Sequence, residues 1–237
     1  MSTQLAFGFG DHRPALGREN FLVAPCNAHA VALIDHWPDW PCSVLVLAGP
    51  EGAGKTHLAE VWRARSGASI LGPDALADVA RAETLTSNLL IDGLDPDAPL
   101  GPPHPDHRAR EMALCRFLDA AARRREGTLL VTAHRSPSTW AVELPDLRTR
   151  LAAMPVANLG PPDDELMRRL ADKLFADRQL QVPDQAAEEM LALIERSSSA
   201  LILAVDALDH ASLEAQQRVL TRAFVRSVLA PEPETEA

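Results

Sequence analysis

The amino-acid sequence predicts an α/β protein in which a parallel sheet, with helices between its strands, is followed by a small all-helical domain. Three observations predict it. Apolar, β-branched runs at 43–48, 87–92 and 128–132 alternate with stretches of helical periodicity. The first run passes directly into Gly49-Pro50-Glu51-Gly52-Ala53-Gly54-Lys55-Thr56, which fits G-x-x-x-x-G-K-[ST] in full, and a helical pattern follows at 57–66. Beyond Pro161-Pro162, every segment carries a one-sided apolar stripe at helical spacing.

The glycine-rich stretch has a mechanism in that context. Its glycines let the backbone turn several N–H groups onto a phosphate chain, and the following helix presents its positive end. Lys55 supplies a point charge, and the Thr56 hydroxyl is a ligand for Mg²⁺. A turn that merely joins strand to helix explains Gly49 and Gly54 but not Lys55-Thr56. The stretch therefore reads as a P-loop for a nucleotide phosphate.

Composition limits the partners. The 237 residues are 46% apolar, enough for one large domain and one small one, and the net charge is −10. There is no basic field for a phosphate backbone and no basic recognition helix, so direct DNA binding is not expected. Cys26, Cys42 and Cys115 are odd in number and lack C-x-x-C spacing, as free thiols of a reducing compartment do. The N-terminus has no leader pattern, no apolar run reaches bilayer length, and the expected location is cytoplasmic.

Along the chain, residues 1–18 are interrupted by Gly8, Gly10, Pro14 and Gly17, yet carry Gln4, Leu5, Phe7 and Phe9. Either these apolar side chains fold back on the parent domain, or they form a short linear motif that anchors in a partner's pocket. Asn27 is a candidate N-cap for a helix that places Ala30, Val31 and Ile34 on one face and stops by Trp37-Pro38. A short apolar piece at 69–71 and a helix over 74–82 follow. The run 87–92 ends in Asp92, placed to stand near the Mg²⁺ of a P-loop site. Gly93 comes next, where a briskly hydrolysing ATPase carries a second acid, so slow turnover in cis is expected. The stretch 96–106, with five prolines, is a surface loop; His104, Asp106 and His107 beside it make a poor case for a metal. Residues 110–124 return to helical periodicity, and the strand after them ends in Thr132, positioned to sense a γ-phosphate. A last strand is expected near 156–159. Four helices are expected beyond it, at 163–177, 184–196, 200–209 and 212–229, with Pro183 and Ser212 as start signals. The acidic tail from Pro231 reads as disordered.

A P-loop sheet domain followed by a helical lid resembles the AAA+ proteins. The stretch from Phe21, Leu22 and Val23 to Asn27 and Ala30 resembles the box that opens the ATPase domain of the DnaA group and lines its adenine site. Leu144-Pro145-Asp146-Leu147 through Arg150-Leu151 is similar to that group's arginine-finger segment, and 208–212 resembles its lid. The chain stops where DnaA would begin its DNA-binding domain. With Gln4-Leu5 resembling a sliding-clamp motif, this points to the Hda-like regulators within the group. The resemblance implies a flexible clamp-binding tail at 1–18, an AAA+ domain at 19–160, a lid at 161–230 and a disordered tail at 231–237.

The resemblance also implies bound ADP or ATP with Mg²⁺, held by Gly49, Gly52, Gly54, Lys55, Thr56 and His57 beside Phe21, Leu22 and Val23, with Thr56 and Asp92 at the metal. It implies Arg150 as a finger inserted in trans at the γ-phosphate of DnaA-bound ATP, with Arg148 its neighbouring competitor. The implied partners are the clamp's beta subunit, through Gln4, Leu5, Phe7 and Phe9, and DnaA, with a nucleotide-dependent homodimer. Three positions depart from the pattern. Ser199 stands where the lid arginine is expected, with Arg196 one turn earlier; the tail has Phe where the clamp motif prefers Leu; and His134 replaces a common Asp. The contrasting expectation is a helicase- or clamp-loader-like ATPase that works on DNA with its own hydrolysis.

Overall fold

The computed structural model describes residues 17–72, 87–94, 107–123 and 127–230. The expected helix over 74–82, the proline-rich loop, the clamp-motif residues Gln4, Leu5, Phe7 and Phe9, and the acidic tail lie outside them.

Five parallel strands form the sheet: β1 (Val44–Ala48), β2 (Ser69–Leu71), β3 (Leu89–Ile91), β4 (Leu129–Ala133) and β5 (Val156–Asn158), ordered β2-β3-β4-β1-β5. β1 lies between β4 and β5, with Val46 opposite Val131 on one side and Val156 on the other. The central strands are buried on both faces, which is why they read as unbroken apolar runs. Alternate residues serve opposite layers. Val44, Val46, Leu129 and Val131 pack with Phe117 of α3 (His107–Ala122), Leu147 and Leu151 of α4 (Pro145–Ala153), and Trp140 from the segment between these helices. Leu45, Leu47, Leu90 and Leu130 pack with Ile34, Leu58 and Trp62 from α1 (Ala28–Asp35) and α2 (Lys55–Ser66). Trp40 stacks on the fully buried Trp62 with ring centroids 5.5 Å apart.

Asn27 precedes α1 as expected, but its side chain does not cap the helix. It accepts from the Ala24 N–H at 2.9 Å and donates to the Leu22 carbonyl at 2.9 Å, closing the loop ahead of α1.

The lid comprises α5 (Asp164–Asp177), α6 (Asp184–Leu193), α7 (Ser198–Glu214) and α8 (Arg222–Leu229) around their own core of Met167, Phe175, Met190, Leu201, Leu208 and Val225. Ser212 does not start a helix. Its hydroxyl donates to the Asp209 carbonyl within α7, and the start signal is Thr221, whose side chain accepts from the Phe224 N–H. The helices expected at 200–209 and 212–229 are therefore redrawn, with the break at 215–221. Glu189, buried under α8, accepts hydrogen bonds from Arg222 and Arg226, which hold its carboxyl below the usual carboxylate range. No helix among the described residues is long and apolar enough to cross a membrane.

Candidate functional site

The carboxyl ends of β1, β3 and β4 converge on one sheet edge, the place where parallel α/β sheets bind ligands. The P-loop leaves β1 there. Gly49 packs against Leu159 just past β5, where a Cβ would lie 2.5 Å from the Leu159 carbonyl oxygen. Gly52, with φ +69°, turns the loop so that its carbonyl accepts from the Ser198 N–H at 3.0 Å. The first turn of α7 is thereby seated on the phosphate loop. Gly54, the residue before α2, also has a left-handed backbone.

The side chains of the edge form one connected set. Lys55 Nζ donates to the Pro50 carbonyl at 2.7 Å, and burial lowers its pKa, with Asp92 and Glu51 opposing. The Thr56 hydroxyl stands 3.3 and 3.5 Å from the two Asp92 oxygens. Thr132, fully buried, donates to Asp92 Oδ1 at 2.5 Å and accepts from the Gly93 N–H at 2.7 Å. Thr132 is thus a brace that orients the Asp92 carboxylate, with both functions of its hydroxyl engaged. Gly93 has φ +79°, so a second acid at that position would be strained. A hydroxyl and a carboxylate side by side are hard oxygen donors that suit Mg²⁺. Among the described residues no cluster of three or more His, Cys, Asp or Glu suits a metal held by protein alone.

A cleft of about 710 Å³ runs from this edge under the lid. Phe21, Leu22, Asn20 and Asn27 line one wall, and Leu166, Leu170, Ile202 and Ser199 line the other. His57 packs edge-on to Phe21, with centroids 5.2 Å apart; burial lowers its pKa, a hydrogen bond to the Gly17 backbone opposes, and Lys173 adds to the depression. The exposed Val23 does not line the cleft, but its carbonyl accepts from Arg169 of α5 at 3.1 Å and so ties the segment ahead of α1 to the lid. Arg196 does not reach the cleft and pairs with Asp164 at the surface. The lid cations that do line it are Lys173, paired with Asp177, and Arg178, paired with Asp206. Sequence reading missed both cations, because helical periodicity marks an apolar stripe and not the charges at its margin. His134 is exposed on the cleft's rim.

Arg150 lies elsewhere. It sits near the end of α4, outside the cleft, with its side chain 40% exposed and paired with Asp119 of α3. Arg148 is engaged locally, donating to the Val142 carbonyl at 2.8 Å.

A five-stranded parallel sheet with a P-loop at its carboxyl edge and a helical lid closing over it defines an AAA+ nucleotide-binding fold. Residues 163–229 match the family described as "Hda, lid domain". Domain III of the replication initiation protein DnaA from Thermotoga maritima superposes with a TM-score of 0.69 over 92% of this chain and 98% of that one, at 17% identity. The AMPPCP-bound DnaA from Aquifex aeolicus superposes with a TM-score of 0.66 over 85% of this chain and 67% of that one, at 12% identity. A Haemophilus influenzae protein described as uncharacterized is 29% identical over 188 residues, 76% of this chain and 79% of its own length. The chain is thus similar to DnaA in fold, and its C-terminal helices are similar to the Hda lid.

Proposed function

We propose that this protein regulates replication initiation by binding adenine nucleotide with Mg²⁺ in the cleft, holding it chiefly as a switch, and promoting hydrolysis of ATP bound to DnaA. In this reading Lys55 and the loop N–H groups hold the phosphates, Thr56 and Asp92 flank the metal, Thr132 fixes Asp92, and the lid closes over the base held by Phe21 and Leu22. Arg150 is the finger supplied in trans, and Gln4, Leu5, Phe7 and Phe9 dock on the beta subunit of the sliding clamp. The protein acts in the cytoplasm, without specific DNA contacts of its own, and self-associates as a nucleotide-dependent dimer.

The observation that carries the reading is a separation of parts. The cleft has a lysine, a braced carboxylate and a hydroxyl, but the residue after Asp92 is Gly93, while a half-exposed arginine stands outside the cleft. Such a chain suits holding its own nucleotide and neutralising charge on another's, and an arginine finger is worth about 10³–10⁵ in rate. The AMPPCP carried by the Aquifex relative supports an adenine nucleotide.

The test is hydrolysis of ATP pre-bound to DnaA, with clamp on DNA, by the intact chain and by Arg150→Ala. Loss of stimulation with nucleotide binding intact is the expected result, and undiminished stimulation by Arg150→Ala refutes the finger. Lys55→Ala is expected to abolish nucleotide binding in calorimetry. Rapid DNA-stimulated turnover by the isolated chain would favour the contrasting reading of a helicase- or clamp-loader-like ATPase.

A further inference from the structure

Helix α3 carries two carboxylates that nothing in the nucleotide cleft uses. Glu111 and Asp119 are eight residues apart, on one face of the helix and about 12 Å along its axis. Glu111 is buried, with 4% exposure, and accepts from the backbone N–H groups of Glu143 and Leu144 at 2.8 and 2.9 Å. Those two residues lead into α4, whose N-terminal position, Leu144, has no side chain able to cap it. A carboxylate from α3 therefore caps α4 from outside, where an anion also complements the helix dipole. Asp119 meets the other end of α4, paired with Nη1 of Arg150, while the Arg150 Nε is buried without a partner. Between them, the two acids fix where α4 begins and where its arginine points.

We infer that α3 is a positioning element for the finger, with Glu111 setting the helix that bears Arg150 and Asp119 setting the plane of its guanidinium. This inference rests on the reading of Arg150 as the group that acts in trans. An arginine on a half-exposed helix end otherwise samples many rotamers, and a partner's phosphate would have to select one on every encounter. The guanidinium is a planar fork, so an ion pair at one corner orients the whole group. Asp119 supplies that ordering before the partner arrives, the usual basis of effective positioning. Glu111 and Asp119 are positioning residues, since neither touches the reacting phosphate.

The test measures hydrolysis of DnaA-bound ATP in single turnover, over a range of concentrations of the full-length regulator, for Asp119→Asn, Asp119→Glu, Arg150→Ala and the double variant Arg150→Ala with Asp119→Asn. Asp119→Asn is expected to slow the saturated rate by about 5- to 30-fold, the upper figure matching the rotamer freedom of one arginine. The half-saturating concentration and the regulator's own nucleotide affinity stay unchanged, and Asp119→Glu recovers most of the rate. In the Arg150→Ala background Asp119→Asn adds nothing, which separates action through the finger from general loosening of the fold. A wild-type or faster rate for Asp119→Asn overturns the inference, as does an Asp119→Asn effect that persists undiminished without Arg150. If Arg150→Ala itself keeps full activity, it is the finger reading that falls. Should Glu111→Gln lower stability and hydrolysis together, the Asp119 set still decides the matter.

Discussion

Substituting Gly52 by alanine tests how the phosphate loop and the lid are joined. The glycine has φ +69°, a conformation that costs an alanine roughly 1–2 kcal/mol. A Cβ there would also lie 2.3 Å from Ser197 Cβ and 3.2 Å from its Cα, so the contact cannot be relieved by rotating a flexible side chain. The first turn of α7 must withdraw, and the hydrogen bond from the Ser198 N–H to the Gly52 carbonyl is lost with it. That bond adds about 0.5–1.5 kcal/mol, for a total of roughly 1.5–3.5 kcal/mol. For a chain of this length the cost corresponds to a melting temperature lowered by about 3–14 °C. Because the lid must be seated again to close over a ligand, adenine-nucleotide affinity measured by calorimetry should fall together with the melting temperature. If Gly52→Ala melts within a degree of the parent and binds nucleotide equally well, the seating of α7 on the loop is not energetically important and the reasoning fails.

Three further outcomes are expected. Thr132→Val keeps the shape of a buried residue but leaves the Gly93 N–H and one Asp92 oxygen without their partner, and should cost about 1–3 kcal/mol in denaturant unfolding; an unchanged midpoint would remove Thr132 as the brace. Leu208→Ala empties a fully buried position in the lid core and should cost about 2–5 kcal/mol, read by far-UV circular dichroism because all four tryptophans lie outside the lid. The Glu189 carboxyl has a lowered pKa in the folded lid, so its stabilising effect is complete above the ordinary pKa of 4.5 and is lost as pH falls through the folded value. Acid unfolding of the lid should flatten in Glu189→Gln over that window, and an identical acid limb in the variant would contradict the assignment.

The parts of the fold legible in the sequence were those where one physical demand acts alone. The strands at 44–48 and 129–133 are buried on both faces, so their residues need only be apolar and β-branched, and the P-loop is a spacing that few other structures require. Ser212 does not start a helix because a serine signals one only where the backbone has free N–H groups to cap; inside α7 the hydroxyl bonds back to the Asp209 carbonyl instead. Thr132 was placed at the right strand end, but its role depends on Asp92 and Gly93, 40 and 39 residues away, and no local pattern reports such partners. Glu111 and Arg178 went unnoticed for the same reason. A charged residue on a helix looks like a solvated one until the fold buries it against a backbone or another helix.

Gly93 and Arg150 look unrelated in sequence, and the fold makes them complementary. At Gly93 the chain turns out of β3 with a positive φ while its N–H is held by Thr132, so the geometry that braces Asp92 also disfavours an acid beside it. Restoring such an acid by one substitution would strain the turn and disturb the brace together. At Arg150 the guanidinium is instead paired with Asp119, outside the cleft. Under the proposed function, the first feature would limit what the chain does to its own ligand, and the second would be its means of acting on a partner's. In that reading, loss of one without the other would leave either a slow ATPase without a target or a finger with no switch to govern it.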